Sequence, residues 1–437
     1  MSGIEEDLAE FALGLEWTSL PDDVQAVATD LLLDALACAI AGYDAPARDA
    51  FAAVATRLSG PGEHLVINGG TASLSAAVMT NAWQTTALTM CDVYRPAMCH
   101  VTPVVVPALL AAAETSGCTR DEFLSAFVAA VEVTVRLCAA MRPDLYGGAR
   151  WHAPGVIGPF GSATAAGLIA GLDAATLRSA WGLALLQSSG TFSAIGSPGV
   201  KFTQARAALA GVIAVEFARA GSGGSSVPFT HPDGGLFDAY GADDTGRVTR
   251  DLGSMWEFFG ISLRRWPAAS SLQSVIEAVL DLRQGHDGTV AELTIELPPQ
   301  SYKLCAGMPW RTQLEALQSA RWVAAVVWAD STCWVEQFAP ASLTDAATAD
   351  FASTRVIVVE NSQLAQGATI VSLSDGRSRR VDSALGTPDR PLGRSGVLEK
   401  LTSAAGAGRA ATIVGQLTGE TLWNIETLRS ALGGDAK

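Results

Sequence analysis

Apolar residues recur at three-to-four spacing over most of this chain, so it reads first as a helical protein. The pattern predicts helices over 5–18, 22–42, 71–88, 104–116 and 121–141. It predicts more over 160–172, 174–187, 203–220 and 234–240. Ala and Gly fill many of the apolar positions, as in ATAAGLIAGL and ARAALAGVIAVEFARA. Small side chains let helix axes approach closely, which implies a tight helical bundle.

The period changes near residue 255. A helix, SSLQSVIEAVLDLR, is followed by AELTIELPP, which alternates like a strand. A helix over 311–328 then precedes TRVIVVEN and ATIVSLSDGRSRRVDSA, two β-branched runs with turn residues between them. Those runs predict a hairpin or meander. The tail, GVLEKLTSAAGAG, RAATIVGQLTG and ETLWNIETLRSALGG, returns to helical spacing. The expected fold is therefore mostly α: a large helical domain, 1–255 plus 393–437, interrupted by a smaller α/β domain at 256–392. At 437 residues the chain exceeds the size at which one core keeps growing, which also favours two domains.

Composition narrows the function. The chain is 49% hydrophobic and 17% charged, the balance of a folded globular protein with much buried surface. A formal net charge of −15 argues against nucleic acid and anionic membrane as partners, because both need a basic footprint. A small anionic substrate stays open, since a few local cations can invert the field. The seven cysteines are odd in number and contain no C-x-x-C, which points to reduced thiols and a cytoplasmic location. The acidic, amphipathic start MSGIEEDLAEFALGLEW does not read as a signal peptide. The longest uncharged runs, 151–172 and 179–200, hold too much Gly, Ser, Pro and Gln to read as membrane spans.

Candidate chemistry appears when the scarce basic residues are set beside the helix starts. His100 precedes Thr102 and Pro103, a good N-cap and N1 pair. His152 lies in WHAPGVIGPFG, ahead of a helix; Lys201 lies in GSPGVKFTQ, ahead of a helix that Thr203 could cap. Arg264 and Arg265 precede a helix that Ser270 or Ser271 could cap. A helix N-terminus attracts anions, so a cation placed there is unfavourable unless an anion joins it. Four such placements read as a prepared carboxylate or phosphate site. Each residue also has a plainer reading. A loop histidine is more often structural than catalytic, Lys201 could be a solvated surface lysine, and Arg264 could pair with an acid. Asp92 could be an acid or base, or a turn residue; Tyr302 could donate a proton, or simply pack. The cluster Cys91, Asp92, Cys99 and His100 lacks the paired short spacing of a structural zinc site. No G-x-S-x-G, H-E-x-x-H, P-loop or convincing G-x-G-x-x-G occurs.

At these same segments the chain resembles the MmgE/PrpD family, which includes 2-methylcitrate dehydratase, cis-aconitate decarboxylase and iminodisuccinate epimerase. The matching stretches are DLLLDALACAIAG, HVTPVVVPALLAAAE, WHAPGVIGPFGSATAAGLIAGLD, KFTQARAALAGVIAVEFARAG, RRWPAASSLQSVIEAVLDL, RTQLEALQSARWVAAVVWAD and GTPDRPLGRSGVLEKL. They run in order over almost the whole chain. The resemblance implies a helical domain with an α/β lid, a homodimer, a site between the two domains, and no metal or organic cofactor. It places His100, His152 and Lys201 on family site residues, Arg264 where a lid lysine is expected, and Asp92 and Tyr302 on an acid and a tyrosine. It also exposes departures. A lid histidine is expected where Ala269 stands, and an acidic stretch of the D-F-D-D type is reduced to Thr89-Met90-Cys91-Asp92. Arg for Lys keeps the charge but removes an acid–base role.

The implied activity is a cofactor-independent lyase, a dehydratase or decarboxylase, working by proton transfer next to a carboxylate. In that reading His152 is the base, His100 orients a carboxylate or acts as the acid, Lys201 and Arg264 stabilise developing charge, and Tyr302 donates to a leaving group. The alternatives are an isomerase, epimerase or cyclase recruited to a specialised metabolite, and an inactive binding protein.

Overall fold

The computed structural model describes residues 3–141, 151–194, 196–286 and 290–434. The chain divides into two compact units. Unit 1 comprises Met1–Ala87, Cys91–Ile261 and Val397–Lys437; unit 2 comprises Leu88–Met90 and Ser262–Gly396.

Unit 1 begins with α1 (Ile4–Gly14), α2 (Asp22–Ala41) and α3 (Arg48–Ser59), then a small antiparallel hairpin of β1 (His64–Val66) and β2 (Gly70–Ala72). It continues with α4 (Leu74–Ala87), the two-residue strand β3 (Val93–Tyr94), α5 (Thr102–Ser116) and α6 (Arg120–Ala140). The next helices are α7 (Ala153–Ile169), α8 (Ala174–Leu185), α9 (Gly199–Arg219) and α10 (Leu236–Tyr240). The short β4 (Ile261–Ser262) ends this stretch. Helix α7 is the hub: residues 153–167 are all buried, and α5, α6 and α9 pack around it. Its glycines make this possible. A side chain at Gly161 would collide with Thr134 of α6, and one at Gly158 would press on Val104 of α5. Gly211 of α9 closes on the α7 backbone in the same way.

Helix α7 starts seven residues before the predicted 160, because a Gly- and Pro-rich sequence reads as a loop while the packing makes it a helix. Pro154 falls in the first turn, where a missing N–H costs little. Pro159 sits inside and frees the carbonyl of Gly155, which the Ser189 amide takes up at 3.2 Å. Helix α3 and the β1–β2 hairpin were not predicted. Only Arg48 and Ala55 of α3 are fully buried, so it carries little apolar signal. Asp22–Asp44 and Arg120–Ala140 are long and apolar enough to cross a membrane, and both are mostly buried inside unit 1.

Unit 2 carries α11 (Gln273–Arg283), β5 (Leu293–Leu297), α12 (Pro299–Cys305), α13 (Gln313–Ala316), α14 (Ala320–Asp330) and α15 (Ala346–Thr354). Strands β6 (Val356–Glu360), β7 (Thr369–Leu373) and β8 (Ser378–Val381) complete a four-stranded sheet in the order β6-β5-β7-β8. Leu293, Ile295 and Leu297 of β5 alternate inward and share a core with Val371, Leu373, Trp322 and Val323. The expected pairing of the two late β-runs is corrected in part. β7 and β8 do form an antiparallel hairpin, but β6 lies across β5 in parallel and never touches β7. The predicted helix over 311–328 is two helices, broken where the Ser319 hydroxyl donates to the Met308 carbonyl at 2.7 Å. The chain then forms α16 (Gly393–Ala405), α17 (Ala407–Thr418) and α18 (Ile425–Gly433). The architecture is mostly α, with one small sheet-bearing part.

Candidate active site

Three of the four basic helix starts come together in unit 1. His152 is the N-cap residue of α7, in extended conformation at φ −89° and ψ 102°. Its amide donates to the Gly190 carbonyl at 2.9 Å, and its carbonyl accepts the first helical bond from Gly155. Gly190 has φ +140° and lies against Thr203 and His152, so a side chain there would be strained and crowded. The Phe192 ring stands 6.0 Å from the imidazole. The result is a histidine only 3% exposed, whose Nδ1 has no hydrogen-bond partner among the described residues. Burial first, then the neighbouring His100 and Lys201, push this imidazole down to about 3. It is neutral at any ordinary pH.

His100 is half-buried, and Asp92 fixes it through the main chain. Its Nδ1–H donates to the Asp92 carbonyl at 2.6 Å, so the neutral ring carries its lone pair on Nε2. The Cys91 sulfur lies 3.8 Å from the same Nδ1. The Asp92 carboxylate turns the other way. It accepts from the amides of Val101 at 2.8 Å and Thr102 at 3.0 Å, and from the Thr102 hydroxyl. It therefore caps α5 from outside the helix, and Thr102 is a helical residue rather than the predicted N-cap. Burial raises the Asp92 carboxyl, and these hydrogen bonds and His100 oppose the rise. Among the described residues no three His, Cys, Asp or Glu side chains gather as a set of metal ligands.

Lys201 lies inside the first turn of α9, because the helix begins at Gly199 instead of being capped by Thr203. Thr203 is an interior helical residue whose methyl faces Gly155 and Gly190. The Lys201 side chain is buried, 6% exposed, and its Nζ donates to the Thr86 hydroxyl at 3.5 Å. Sequence reasoning missed Thr86. The signal was present as an uncharged polar run, TNAWQTT, in an otherwise apolar helix.

The remaining candidates belong to unit 2. Arg264 is buried at 2% exposure. Arg265 has its guanidinium 6.0 Å from the Trp266 ring. Ser270 and Ser271 form a 3₁₀ turn, and neither caps α11, whose N-cap position is Leu272. Gln273, also missed, holds the preceding loop by bonding the Trp266 amide and the Trp266 and Ala268 carbonyls. Ala269 donates its amide to Leu317 and presents no titratable group. Tyr302 lies on α12, half-buried against the unit 2 core.

The MmgE/PrpD N-terminal domain family model matches residues 6–247, and the MmgE/PrpD C-terminal domain model matches residues 266–412. The chain belongs to the MmgE/PrpD family. A cis-aconitate decarboxylase of Aspergillus terreus is 24% identical over 442 aligned residues, covering 93% of this chain and 90% of that protein. A cis-aconitate decarboxylase-like protein of Aspergillus oryzae is 28% identical over 301 residues, covering 65% of this chain and 62% of that protein. The gathering of His100, His152 and Lys201 combines a buried neutral imidazole, a second imidazole of fixed tautomer and a basic side chain at a helix start.

Proposed function

We propose that this MmgE/PrpD protein is a lyase, of the decarboxylase or dehydratase type, acting next to a carboxylate on a small polycarboxylate. The observation that carries this reading is His152, a buried neutral imidazole beside Lys201 and His100 whose Nδ1 has no partner among the described residues. A buried polar atom without a partner is costly unless something completes it. A carboxylate substrate pairs with the Lys201 ammonium at the start of α9 and offsets the positive charge that, after burial, lowers the His152 proton affinity; the proton that His152 then takes up gives the ring a hydrogen to share with that carboxylate.

The substrate thus activates its own base. Loss of CO2 breaks a carbon–carbon bond and leaves its electron pair on a carbon conjugated with a remaining carboxylate. Lys201 stabilises that charge, and the proton that His152 takes up from solvent as the carboxylate binds is delivered to the carbon, returning the imidazole to its neutral form. In a dehydration the neutral His152 instead removes the proton, and hydroxide leaves from the adjacent carbon with a proton. Arg265, Ser270 and Ser271 as substrate contacts follow from their place ahead of α11. Arg264 as a substrate contact and Tyr302 as proton donor follow from the family resemblance. So do the homodimer and the absence of a metal or organic cofactor.

The test offers purified protein cis-aconitate, methylcitrate and iminodisuccinate in D2O, and follows CO2 release and deuterium incorporation by NMR. His152→Ala and Lys201→Ala should each lower turnover about 10²-fold or more. Near wild-type rates in both would overturn the assignment. Ala269 and Cys91 favour a second reading, recruitment to isomerase, epimerase or cyclase chemistry. Exchange of deuterium without CO2 or water loss would select it.

A further inference from the structure

The polar run of α4 separates into two kinds of residue. Asn81, Gln84, Thr85 and Thr86 are all buried, and the first three serve the backbone. Asn81 bonds Ile67 and Leu65, Gln84 bonds Ile67 and Ala39, and Thr85 donates to the Asn81 carbonyl. Thr86, with no exposed surface, meets two side chains of the site instead. Its hydroxyl oxygen accepts from Lys201 Nζ at 3.5 Å and from the Cys91 thiol at 3.8 Å. Cys91 in turn lies 3.8 Å from His100 Nδ1. One hydroxyl therefore stands between the cation and the thiol that backs the imidazole.

We infer that Thr86 is a positioning residue, whose hydroxyl holds the Lys201 ammonium and the Cys91 thiol in one arrangement beside the His100 ring. The inference rests on the lyase reading for its purpose but not for its geometry. An uncharged acceptor suits this place. It favours the ammonium without neutralising it, so Lys201 keeps a full charge for an incoming carboxylate. A carboxylate at position 86 would form an ion pair and compete with the substrate. His100 and His152 lie near Lys201 in this cluster, and His152 feels the positive charge of both His100 and Lys201.

The experiment uses the full chain labelled with ¹³Cε-lysine. Only four lysines occur, Lys201, Lys303, Lys400 and Lys437, so each can be followed through a pH titration by NMR. In Thr86→Val, an isosteric loss of the hydroxyl, the Lys201 midpoint should fall by about one unit, because a hydrogen bond favouring the charged form is gone. Thr86→Ser should restore it, and Lys400 should not move in either variant. Turnover of cis-aconitate in Thr86→Val should fall about tenfold in kcat, with recovery in Thr86→Ser. Should Val not be accommodated, Thr86→Ala makes the same deletion. An unmoved Lys201 midpoint in the hydroxyl-less variant, or an equal shift in Thr86→Ser, overturns the inference. A wild-type protein that ignores cis-aconitate while the midpoint still shifts counts against that substrate and leaves the positioning role standing.

Discussion

His152 makes the sharpest prediction at the scale of a single residue. Its proton affinity in the folded chain is held down to about 3 by burial and by two neighbouring bases. An unfolded histidine titrates near 6.5. The unfolded state therefore binds the extra proton first, and the native state loses stability as pH falls from about 6.5 toward 3. The cost is up to about 1.4 kcal/mol per pH unit for one proton. Urea midpoints measured across that window should fall less steeply in His152→Leu than in the wild-type protein. The same depression predicts proton uptake when a carboxylate binds. Calorimetry of tricarballylate in buffers of different ionisation enthalpy should show that uptake in the wild type and not in His152→Leu. Some of this site was legible in sequence, because His100, His152 and Lys201 each stood out as scarce cations at helix starts. Thr86 was not. A buried threonine looks the same whether its hydroxyl meets a backbone carbonyl or an ammonium, and only the packing of α4 against α9 tells them apart.

At the scale of elements, the buried pair Glu132–Arg136 shows how α6 organises the loop after α10. Both side chains have no exposure, and Nε of Arg136 donates to Glu132 at 2.6 Å. The other guanidinium nitrogens take the carbonyls of Arg247, Val248, Arg250 and Met255, while Glu132 accepts the amides of Glu257 and Phe258. One ion pair thus satisfies six backbone groups of an irregular segment. Arg136→Met leaves the carboxylate and four carbonyls without their partner, and should cost about 3–5 kcal/mol in urea unfolding. Glu132→Gln combined with Arg136→Met should cost clearly less than the sum of the two single changes. Additive costs would show that the two residues act separately. The sequence places Glu and Arg four apart on a helix, which reads as an ordinary exposed pair. Its burial depends on residues more than a hundred positions away. The same limit hid the start of α7, where glycines that look like loop residues are the contact surface for three other helices.

At the scale of the molecule, the change of hydrophobic period near residue 255 made it legible that a sheet-bearing part interrupts a helical one. The pairing within that sheet was not. β5 and β6 are parallel neighbours joined by a crossover of four helices, and nothing in either strand announces its partner. Unit 2 nevertheless has the marks of an independent fold. Its long segment, Ser262–Gly396, is continuous in sequence and contains the whole four-stranded sheet. Its core runs from Leu272 and Val275 of the α11 region through β5 to Trp322, Val371 and Val381, all within that segment. Trp310 and Trp322 lie with ring centroids 5.9 Å apart in that core, which provides a built-in optical probe. A continuous segment with its own core should fold when excised. Residues 262–396 expressed alone should therefore give near-ultraviolet dichroism from these tryptophans. They should also unfold in urea as one cooperative transition seen equally by fluorescence and far-ultraviolet dichroism. A broad transition that differs between the two probes would mean that the sheet and its helices need residues of unit 1 to reach a unique packing.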